Sequence, residues 1–205
     1  MITILDYGMG NVGSIVNMLK KLRAVAVVSS TEADVRRATN LILPGVGAFD
    51  KGMTSLRERG LIEILNEKVL RQRTPVLGIC LGMQLFCRSS EEGVLLGLGW
   101  LKANAVRFNF GRNHADLKIP HMGWNTVSIA KTTRLFRNVP EPARFYFVHS
   151  YHVVCEDPRD ILTTTVYGAP FASSVERDNI IGVQFHPEKS HRFGLQVMSN
   201  FLGLC

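Results

Sequence analysis

The chain has 205 residues, of which 46% are hydrophobic and 20% are charged, a composition typical of one globular domain spanning residues 1–205. The longest nearly unbroken apolar stretch, residues 94–101, is far shorter than the roughly 20 residues that a membrane-spanning helix needs. Lys and Arg total 24 against 17 acidic residues, a net charge of +7, but they fall in short groups at the ends and outer faces of predicted helices. Because no basic stripe is visible, the sequence predicts neither a membrane nor a nucleic acid as a partner.

Four scattered cysteines bear on the redox compartment and on possible metal sites. None of them belongs to a CxxC pair, so we expect neither a disulfide framework nor a zinc site. The N-terminus shows no basic segment ahead of an apolar one, and hence no secretory signal. Together these features predict a reduced, cytoplasmic protein without a metal. Apart from Cys80, which is considered below, the cysteines are expected to fill apolar space: Cys87, Cys155 and Cys205.

The first 90 residues alternate between short apolar runs and stretches of helical periodicity. From Val12 to Leu22 apolar residues recur every three or four positions, which predicts an amphipathic helix. Thr31 and Asp34 form a capping pattern that opens a second, brief helix. Strands are predicted over residues 2–5, 25–28, 41–43 and 75–79, and further helices over 61–73 and 83–86. Because these strands are apolar throughout, they predict a parallel sheet covered by helices on both faces.

The second half is rich in strands and poor in helical signals. Strands are predicted over residues 101–108, 126–129, 145–154, 162–166, 171–175 and 180–185, and a final helix over 192–202. Consecutive strands without intervening helices indicate hairpins added to the parallel core. The predicted fold class is therefore α/β, with a mostly parallel central sheet, helices on both faces and added β-hairpins.

A GxGxxG pattern, Gly8-Met9-Gly10-Asn11-Val12-Gly13, lies between the first strand and the first helix. This is the context of a dinucleotide-binding turn, in which glycines let the backbone approach a pyrophosphate. The acid that should end the second strand is absent, because Val28 is followed by two serines and Glu32 comes later. Since any tight strand-to-helix turn favours glycine, the pattern alone leaves nucleotide binding and a plain turn as alternatives.

Cys80 lies in Gly78-Ile79-Cys80-Leu81-Gly82, directly after an apolar strand and before a helix. This is the G-x-nucleophile-x-G elbow with cysteine in place of serine, a turn too sharp for larger residues at its glycine positions. The elbow holds the side chain at the carboxyl end of the sheet, and the adjacent helix N-terminus favours the thiolate. We therefore interpret Cys80 as a nucleophile.

A nucleophile of this kind needs a base, and His186 with Glu188 fits that role. The last predicted strand ends just before His186, and in an extended backbone positions 186 and 188 project to the same side. Glu188 would then orient the imidazole as the third member of a triad. Other histidines lack an acid two residues on and show no metal-ligand spacing, so metal binding by them is not expected: His121, His149 and His152.

Pro44-Gly45-Val46-Gly47 ends the third strand. Backbone N–H groups in this turn, with that of Leu81 after the nucleophile, are candidates for an oxyanion hole. From the residues alone, a plain strand-to-helix turn is an equal alternative.

At this point the motifs resemble a known family. GICLGMQ (78–84) with HPE (186–188) resembles the class I, triad-type glutamine amidotransferases, which implies a flavodoxin-like fold. Within them, the glutaminase subunits of imidazole glycerol phosphate synthase are similar in five further motifs: DYGMGN (6–11), PGVGAF (44–49), PHMGWN (120–125), FVHSY (147–151) and HPEKS (186–190). The similarity extends from the first strand to the last helix.

The resemblance implies an activity and a partner. Cys80, His186 and Glu188 would form the triad that hydrolyses L-glutamine through a thioester, without a cofactor. Ammonia would pass through an internal tunnel to a (β/α)₈-barrel cyclase subunit, the other half of a heterodimer in histidine biosynthesis. The PGVG turn would complete the oxyanion hole once the partner's substrate rearranges it, and the GMGNVG turn would be framework beside the partner.

The resemblance also implies further site residues. Gly45, Val46, Gly47 and Leu81 would shape the oxyanion hole. Gln84, Glu92, Ser150 and Tyr151 would hold glutamine, and Trp124, Tyr146 and Lys189 would face the barrel subunit.

Three alternatives to this histidine-pathway subunit remain. His191-Arg192-Phe193-Gly194 is similar to paralogues that pair with a duplicated barrel subunit and supply ammonia for sugar modification. A free-standing cysteine hydrolase would use the same elbow but would need neither Gln84 nor the PHMGWN motif. The third alternative, a nucleotide-binding module, would use residues 8–13, and an NAD(H) titration would reveal it.

Overall fold

The computed structural model of the chain describes residues 1–111 and 117–203. Its helices are α1 (Val12–Lys21), α2 (Glu32–Arg37), α3 (Phe49–Glu58), α4 (Leu61–Asn66), α5 (Leu81–Leu85) and α6 (His191–Leu202). Its strands are β1 (Ile2–Leu5), β2 (Ala26–Ser29), β3 (Asn40–Leu43), β4 (Val76–Ile79), β5 (Ser89–Ser90), β6 (Ala103–Arg107), β7 (His121–Thr126), β8 (Ser128–Ile129), β9 (Arg144–His149), β10 (Tyr151–Cys155), β11 (Ile161–Tyr167), β12 (Ala169–Arg177) and β13 (Ile180–Val183).

The parallel half of the main sheet has the strand order β2-β1-β3-β4-β13. This is the doubly wound order of flavodoxin-like folds, with β13 as the fifth strand. Beyond β13 the sheet continues antiparallel through β12, β10 and β6, with β11 and β8 paired alongside β12. Strands β7 and β9 form a separate antiparallel pair. The predicted α/β class with added hairpins is confirmed.

Both faces of the parallel strands are covered. Along β3, Leu41 and Leu43 pack toward α3, α4 and α5, whereas Ile42 packs on the side of α1 and α6. These three residues are fully buried, which explains why β3 is apolar on both of its faces. No helix in the described part of the chain is long and apolar enough to cross a membrane.

In the first half, the predicted strands and helices occur within a few residues of their predicted bounds. The capping pattern is present, since Thr31 Oγ1 accepts a hydrogen bond from the Asp34 N–H at the start of α2. The predicted helix 61–73 is interrupted, because after α4 the backbone widens into a π-helical turn, Glu67–Arg71. Lys68, which was predicted to lie on an outer helix face, is buried there. Its ammonium group donates a hydrogen bond to the Arg36 carbonyl oxygen. Helix α3 was not predicted from the sequence.

In the second half, two strand predictions are wrong in detail. The predicted strand 145–154 is two strands, because β9 ends at His149 and β10 begins at Tyr151 in a different sheet. The predicted strand 126–129 falls at the end of β7, followed by the short β8. Both errors arise because apolar alternation marks extended backbone but not the sheet that the backbone joins.

The carboxyl ends of β3, β4 and β13 lie side by side, since each strand pairs in parallel with its neighbour. Gly78 of β4 is in register with Gly182 of β13 and with Leu43 of β3. Residues that follow these three strands therefore meet at one edge of the sheet, the usual place for a site in an open parallel sheet.

Candidate active site

Cys80 follows β4 in a strained backbone conformation, with φ 54° and ψ −108°. The glycines on either side make this turn possible. A Cβ at Gly82 would lie 1.9 Å from the Leu43 carbonyl oxygen, and one at Gly78 would lie 2.7 Å from the Met83 backbone nitrogen. The turn places Cys80 at the N-terminus of α5.

His186 and Glu188 are paired, since His186 Nδ1 lies 2.7 Å from Glu188 Oε1, and their side chains are 1% and 3% exposed. The expected reason for the pairing is wrong. Residues 187–189 form a 3₁₀ turn rather than extended backbone, and this turn folds the carboxylate back onto the imidazole. Burial opposes the imidazolium, but interactions with Cys80 and with Glu188 outweigh burial and raise the pKa of His186 to about 10.

The sulfur of Cys80 has two polar neighbours besides the histidine. Cys80 Sγ lies 3.8 Å from the Val148 carbonyl oxygen of β9, to which the thiol donates. Gln184 Nε2 lies 3.6 Å from the sulfur and donates to it. Sequence reasoning assigned no role to Gln184, although it stands two residues before His186.

The Pro44–Gly47 turn lies against α5, and its conformation bears on the predicted oxyanion hole. The Leu81 N–H points to the Gly45 carbonyl oxygen, with an N–O distance of 3.4 Å. Val46 is half exposed, and Gly47 has a φ of +123°. In this state the Leu81 donor is occupied by a carbonyl of the turn, so the turn must rotate before that N–H can meet an oxyanion.

Two residues of the DYGMGN segment (6–11) contact this turn. The buried Tyr7 hydroxyl donates to the Pro44 carbonyl oxygen at 2.6 Å. A Cβ at Gly10, where φ is +95°, would lie 3.1 Å from the Gly45 nitrogen. Asn11 caps α1 by accepting from the Ser14 N–H. Gly10 is therefore explained by close packing against the neighbouring turn, and Asn11 by its role as a helix cap.

A cavity of about 420 Å³ opens beside Cys80. Its lining includes all four residues predicted to hold glutamine: Gln84, Glu92, Ser150 and Tyr151. Gln84 Nε2 donates to the Tyr151 carbonyl oxygen at 3.0 Å. Glu92 Oε2 accepts from the Phe49 N–H at the start of α3, at 2.8 Å. The volume lies in the range of small-molecule pockets.

Two histidines behind this cavity form a neutral pair that the sequence did not predict. His121 Nδ1 and His149 Nε2 are 3.0 Å apart, and His149 Nδ1 lies 2.8 Å from the Tyr151 carbonyl oxygen. Burial lowers the pKa of His121 to about 4 and that of His149 to about 3. In the described part of the chain, no group of three metal-ligating side chains comes together.

Comparison with known proteins identifies the family that carries this arrangement. A family model described as glutamine amidotransferase class-I matches residues 3–203. The chain belongs to the class I glutamine amidotransferases. The resemblance inferred from the elbow and the HPE motif is thereby confirmed.

Curated relatives of this glutamine amidotransferase match nearly its whole length. A Methanococcus maripaludis protein is 56% identical over 202 residues, 98% of each chain, and a Pseudomonas aeruginosa protein is 50% identical over 204 residues, 100% of each. Both are named imidazole glycerol phosphate synthase subunit HisH 2. A Leptospira interrogans protein, 43% identical over 204 residues and 100% of each chain, is named imidazole glycerol phosphate synthase subunit HisH.

Solved structures agree on the fold. A crystal structure of a glutamine amidotransferase has a TM-score of 0.73 and 18% identity, and covers 99% of this chain and 97% of that one. PurLQS from Thermotoga maritima has a TM-score of 0.72 and 18% identity, covering 98% and 97%. At this identity the likeness shows the shared architecture alone.

The three residues predicted to face a partner of this amidotransferase lie together on one surface. Trp124 is 40% exposed and packs edge-on against Tyr146, while Lys189 Nζ lies 5.5 Å from the centre of the Tyr146 ring. His191, the first residue of α6, stacks on Trp124 with ring planes 4° apart. This contact gave no local signal in the sequence, because Trp124 and His191 are 67 residues apart.

This aromatic surface is linked to the triad through the backbone. The His186 N–H donates to the Tyr146 carbonyl oxygen at 2.9 Å, and Ser190 Oγ accepts from the Tyr146 N–H. Strand β9 therefore carries Tyr146 on the surface and, two residues later, the Val148 carbonyl that faces Cys80.

The remaining predictions concern other cysteines and one histidine. Cys87 is buried and burial raises its pKa, as expected of a space-filling thiol, whereas Cys155 is only half buried. Cys205 lies outside the described residues, as does His114, which the sequence predicts to be an exposed loop residue.

Proposed function

We propose that this chain is the glutaminase subunit of an imidazole glycerol phosphate synthase. It would hydrolyse L-glutamine to glutamate and pass the ammonia to a (β/α)₈-barrel cyclase subunit in histidine biosynthesis. The observation that carries the proposal is the strained elbow of Cys80, next to a buried His186–Glu188 pair, in a chain of the class I amidotransferase family. The full-length relatives named as subunits of that synthase give the pathway.

The proposed chemistry follows from these side chains. The Cys80 thiolate attacks the side-chain amide carbon of glutamine, and the carbonyl oxygen becomes an oxyanion. The His186 imidazolium gives its proton to the amide nitrogen, the C–N bond breaks, ammonia departs, and a glutamyl thioester remains on Cys80. Neutral His186 then takes a proton from water, whose oxygen attacks the thioester and releases glutamate and the thiolate. A raised His186 pKa supports this order, because it keeps the imidazolium available at neutral pH.

Partner dependence fits the conformation of the Pro44–Gly47 turn. Since the Leu81 N–H is held by the Gly45 carbonyl, an unaided chain lacks a ready donor for the oxyanion. Loss of one such donor costs on the order of 10²–10³ in rate. We propose that the barrel subunit, docked on Trp124, Tyr146 and Lys189, favours the rotated turn.

Glutamine binding is assigned to the cavity beside Cys80. Glu92 already binds one N–H, that of Phe49, and its exposed carboxylate is suited to the ammonium of an amino acid. The backbone and side chains of Gln84, Ser150 and Tyr151 offer uncharged hydrogen-bonding groups on the same wall.

A paralogous role remains a second candidate. The two relatives at 56% and 50% identity are both named HisH 2, and His191 of the segment shared with paralogues stacks on the predicted docking residue Trp124. A duplicated barrel subunit that uses ammonia for sugar modification would contact the same surface. A free-standing hydrolase is less well supported, because it would not need this exposed aromatic cluster.

One mixing experiment separates these functions. The chain is assayed for glutamate release alone and with each candidate barrel subunit from its own organism, and Cys80→Ala serves as the inactive control. We expect weak activity alone, strong stimulation by the cyclase subunit, and no glutamate release by Cys80→Ala. Stimulation by the duplicated barrel subunit alone would assign the chain to the paralogous sugar-modification pathway. Full activity without any partner would support a free-standing cysteine hydrolase.

Two further assignments belong to this proposal. The family match over residues 3–203 supports one domain over residues 1–205. A cytoplasmic location is supported by the free thiols of Cys80, Cys87 and Cys155, since the proposed nucleophile works only when reduced.

A further inference from the structure

Gln184 is completely buried at the end of β13, and its orientation is fixed by a chain of hydrogen bonds. This series of hydrogen bonds starts at the Tyr151 carbonyl oxygen, which can only accept a hydrogen bond. The side-chain atom of Gln84 that lies 3.0 Å from this oxygen must therefore be its NH₂ group. His149 Nδ1 also donates to this oxygen, which accepts the second hydrogen bond through its other lone pair.

The second hydrogen of the Gln84 NH₂ group sets the next link. It points to a side-chain atom of Gln184 at 3.1 Å, which must accept and is therefore Oε1. The remaining atom of the Gln184 amide is Nε2, and this donor lies 3.6 Å from Cys80 Sγ. The donor and acceptor roles in all three hydrogen bonds thus follow from one backbone carbonyl. As a result, the Gln184 side chain directs an N–H at the Cys80 sulfur.

This donor matters because the groups around the Cys80 sulfur differ in which protonation state of the sulfur they favour. The Val148 carbonyl on β9 faces Sγ as an acceptor and favours the protonated thiol. Tyr7, after β1, and His186, after β13, are the ionisable neighbours, and Tyr7 stays neutral because burial and the charge of Cys80 raise its pKa. Among groups that favour the thiolate, His186 carries a proton that the reaction consumes, whereas the Gln184 amide keeps its hydrogens throughout.

We propose that Gln184 is a further catalytic residue, which stabilises the Cys80 thiolate by donating its side-chain N–H to the sulfur. The proposal deepens the proposed glutaminase function and rests on Cys80 as the nucleophile. Gln84 acts as a positioning residue in this scheme, because it orients the Gln184 amide. No atom of Gln184 is transferred; its role is to lower the free energy of the charged sulfur before attack and when the thioester is hydrolysed.

The test measures the thiolate directly, without glutamine or a partner. The free full-length chain is alkylated with iodoacetamide between pH 5 and 10, and modification of the Cys80 peptide is quantified by mass spectrometry. Because only the thiolate reacts, the rate follows the fraction of ionised Cys80. Gln184→Met keeps the length of the side chain without the donor, and Gln184→Glu keeps the acceptor for Gln84 but puts an oxygen beside the sulfur.

A matched control is available on α6. Gln196 makes its hydrogen bond to Asn200, and Gln196→Met applies the same substitution in a half-buried helix position that takes no part in the site. A urea unfolding curve for each variant verifies that it is folded. If the alkylation midpoint of Cys80 shifts in the Gln184 variants but not in Gln196→Met, the shift results from loss of the donor and not from a general effect of replacing Gln by Met.

We expect the alkylation midpoint to rise by about one pH unit in Gln184→Met and further in Gln184→Glu, with no change in Gln196→Met. An unchanged midpoint in a folded Gln184→Met or Gln184→Glu variant would overturn the proposal and leave Gln184 as a space-filling residue. If the chain proved not to hydrolyse glutamine, the midpoint shifts would stand. Conversely, normal glutaminase activity with unshifted midpoints would reject the role of Gln184 alone.

Discussion

Replacing Glu188 by Gln tests the triad through its effect on stability. Glu188 Oε1 lies 2.7 Å from His186 Nδ1, and with side chains 3% and 1% exposed the pair is not screened by solvent. The amide of Gln can still accept the hydrogen bond, but without a charge. The difference between a charged and a neutral acceptor is about 1–2 kcal/mol, which lowers the pKa of His186 by about one unit.

The sign of the pH dependence follows from proton linkage. The native pKa of His186 is about 10, raised from an ordinary value of about 6.5 in the unfolded chain. The stabilisation by its proton is complete below pH 6.5 and is lost as the pH rises toward 10. Glu188→Gln should therefore be less stable than the original chain by about 1–2 kcal/mol from pH 6 to about 9, and this difference should disappear above pH 10.

Urea unfolding at one-unit intervals between pH 6 and pH 11 measures this difference. Glu58→Gln, a change of the same kind at an exposed position of α3, controls for the loss of one negative charge. A Glu188→Gln variant as stable as the original chain at pH 7, or a deficit that is the same at every pH, would refute the assignment of Glu188 as the partner of a charged His186.

Three further predictions follow from single contacts. Tyr7→Phe leaves the Pro44 carbonyl without its buried donor and should lower the free energy of unfolding by about 1–3 kcal/mol in urea titrations; an unchanged value would show that the hydroxyl does not hold the turn. Gly82→Ala places a Cβ 1.9 Å from the Leu43 carbonyl oxygen, and glutamate release by the partner complex should fall by at least about 10²-fold, so near-normal turnover would contradict the elbow geometry. Trp124→Ala should weaken binding of the barrel subunit by at least about tenfold in calorimetric titrations while the urea unfolding curve stays the same; equal affinity would place the docking surface elsewhere.

The parallel core could be predicted because its signals are local. The inner strands β1, β3, β4 and β13 are largely buried on both faces and therefore mostly apolar, and α1 carries a periodic apolar stripe. Helix α3 was not predicted although Phe49, Met53 and Leu56 recur at helical spacing, because charged and small residues separate them and the preceding turn has no side-chain cap. The break between β9 and β10 could not be predicted, since it depends on which strand pairs across space rather than on residues near Ser150.

The residues of the proposed triad could be singled out from the sequence because their motifs are short and chemically specific. The reason given for the His186–Glu188 contact was wrong, since the 3₁₀ turn that creates it leaves no clear signal in an HPE segment. Gln184 and the neutral His121–His149 pair could not be found from spacing alone. Their roles depend on hydrogen bonds between side chains that are 28 or more residues apart in the sequence.

The central claim is that Cys80 carries the glutamyl group during hydrolysis. The most direct measurement is acid-quenched intact-protein and peptide mass spectrometry of the chain, mixed with its barrel subunit and glutamine. We predict a transient increase equal to one glutamyl group, located on the Cys80 peptide and absent in Cys80→Ala. Steady glutamate release without a covalent adduct on Cys80, or with an adduct on another residue, would contradict the account.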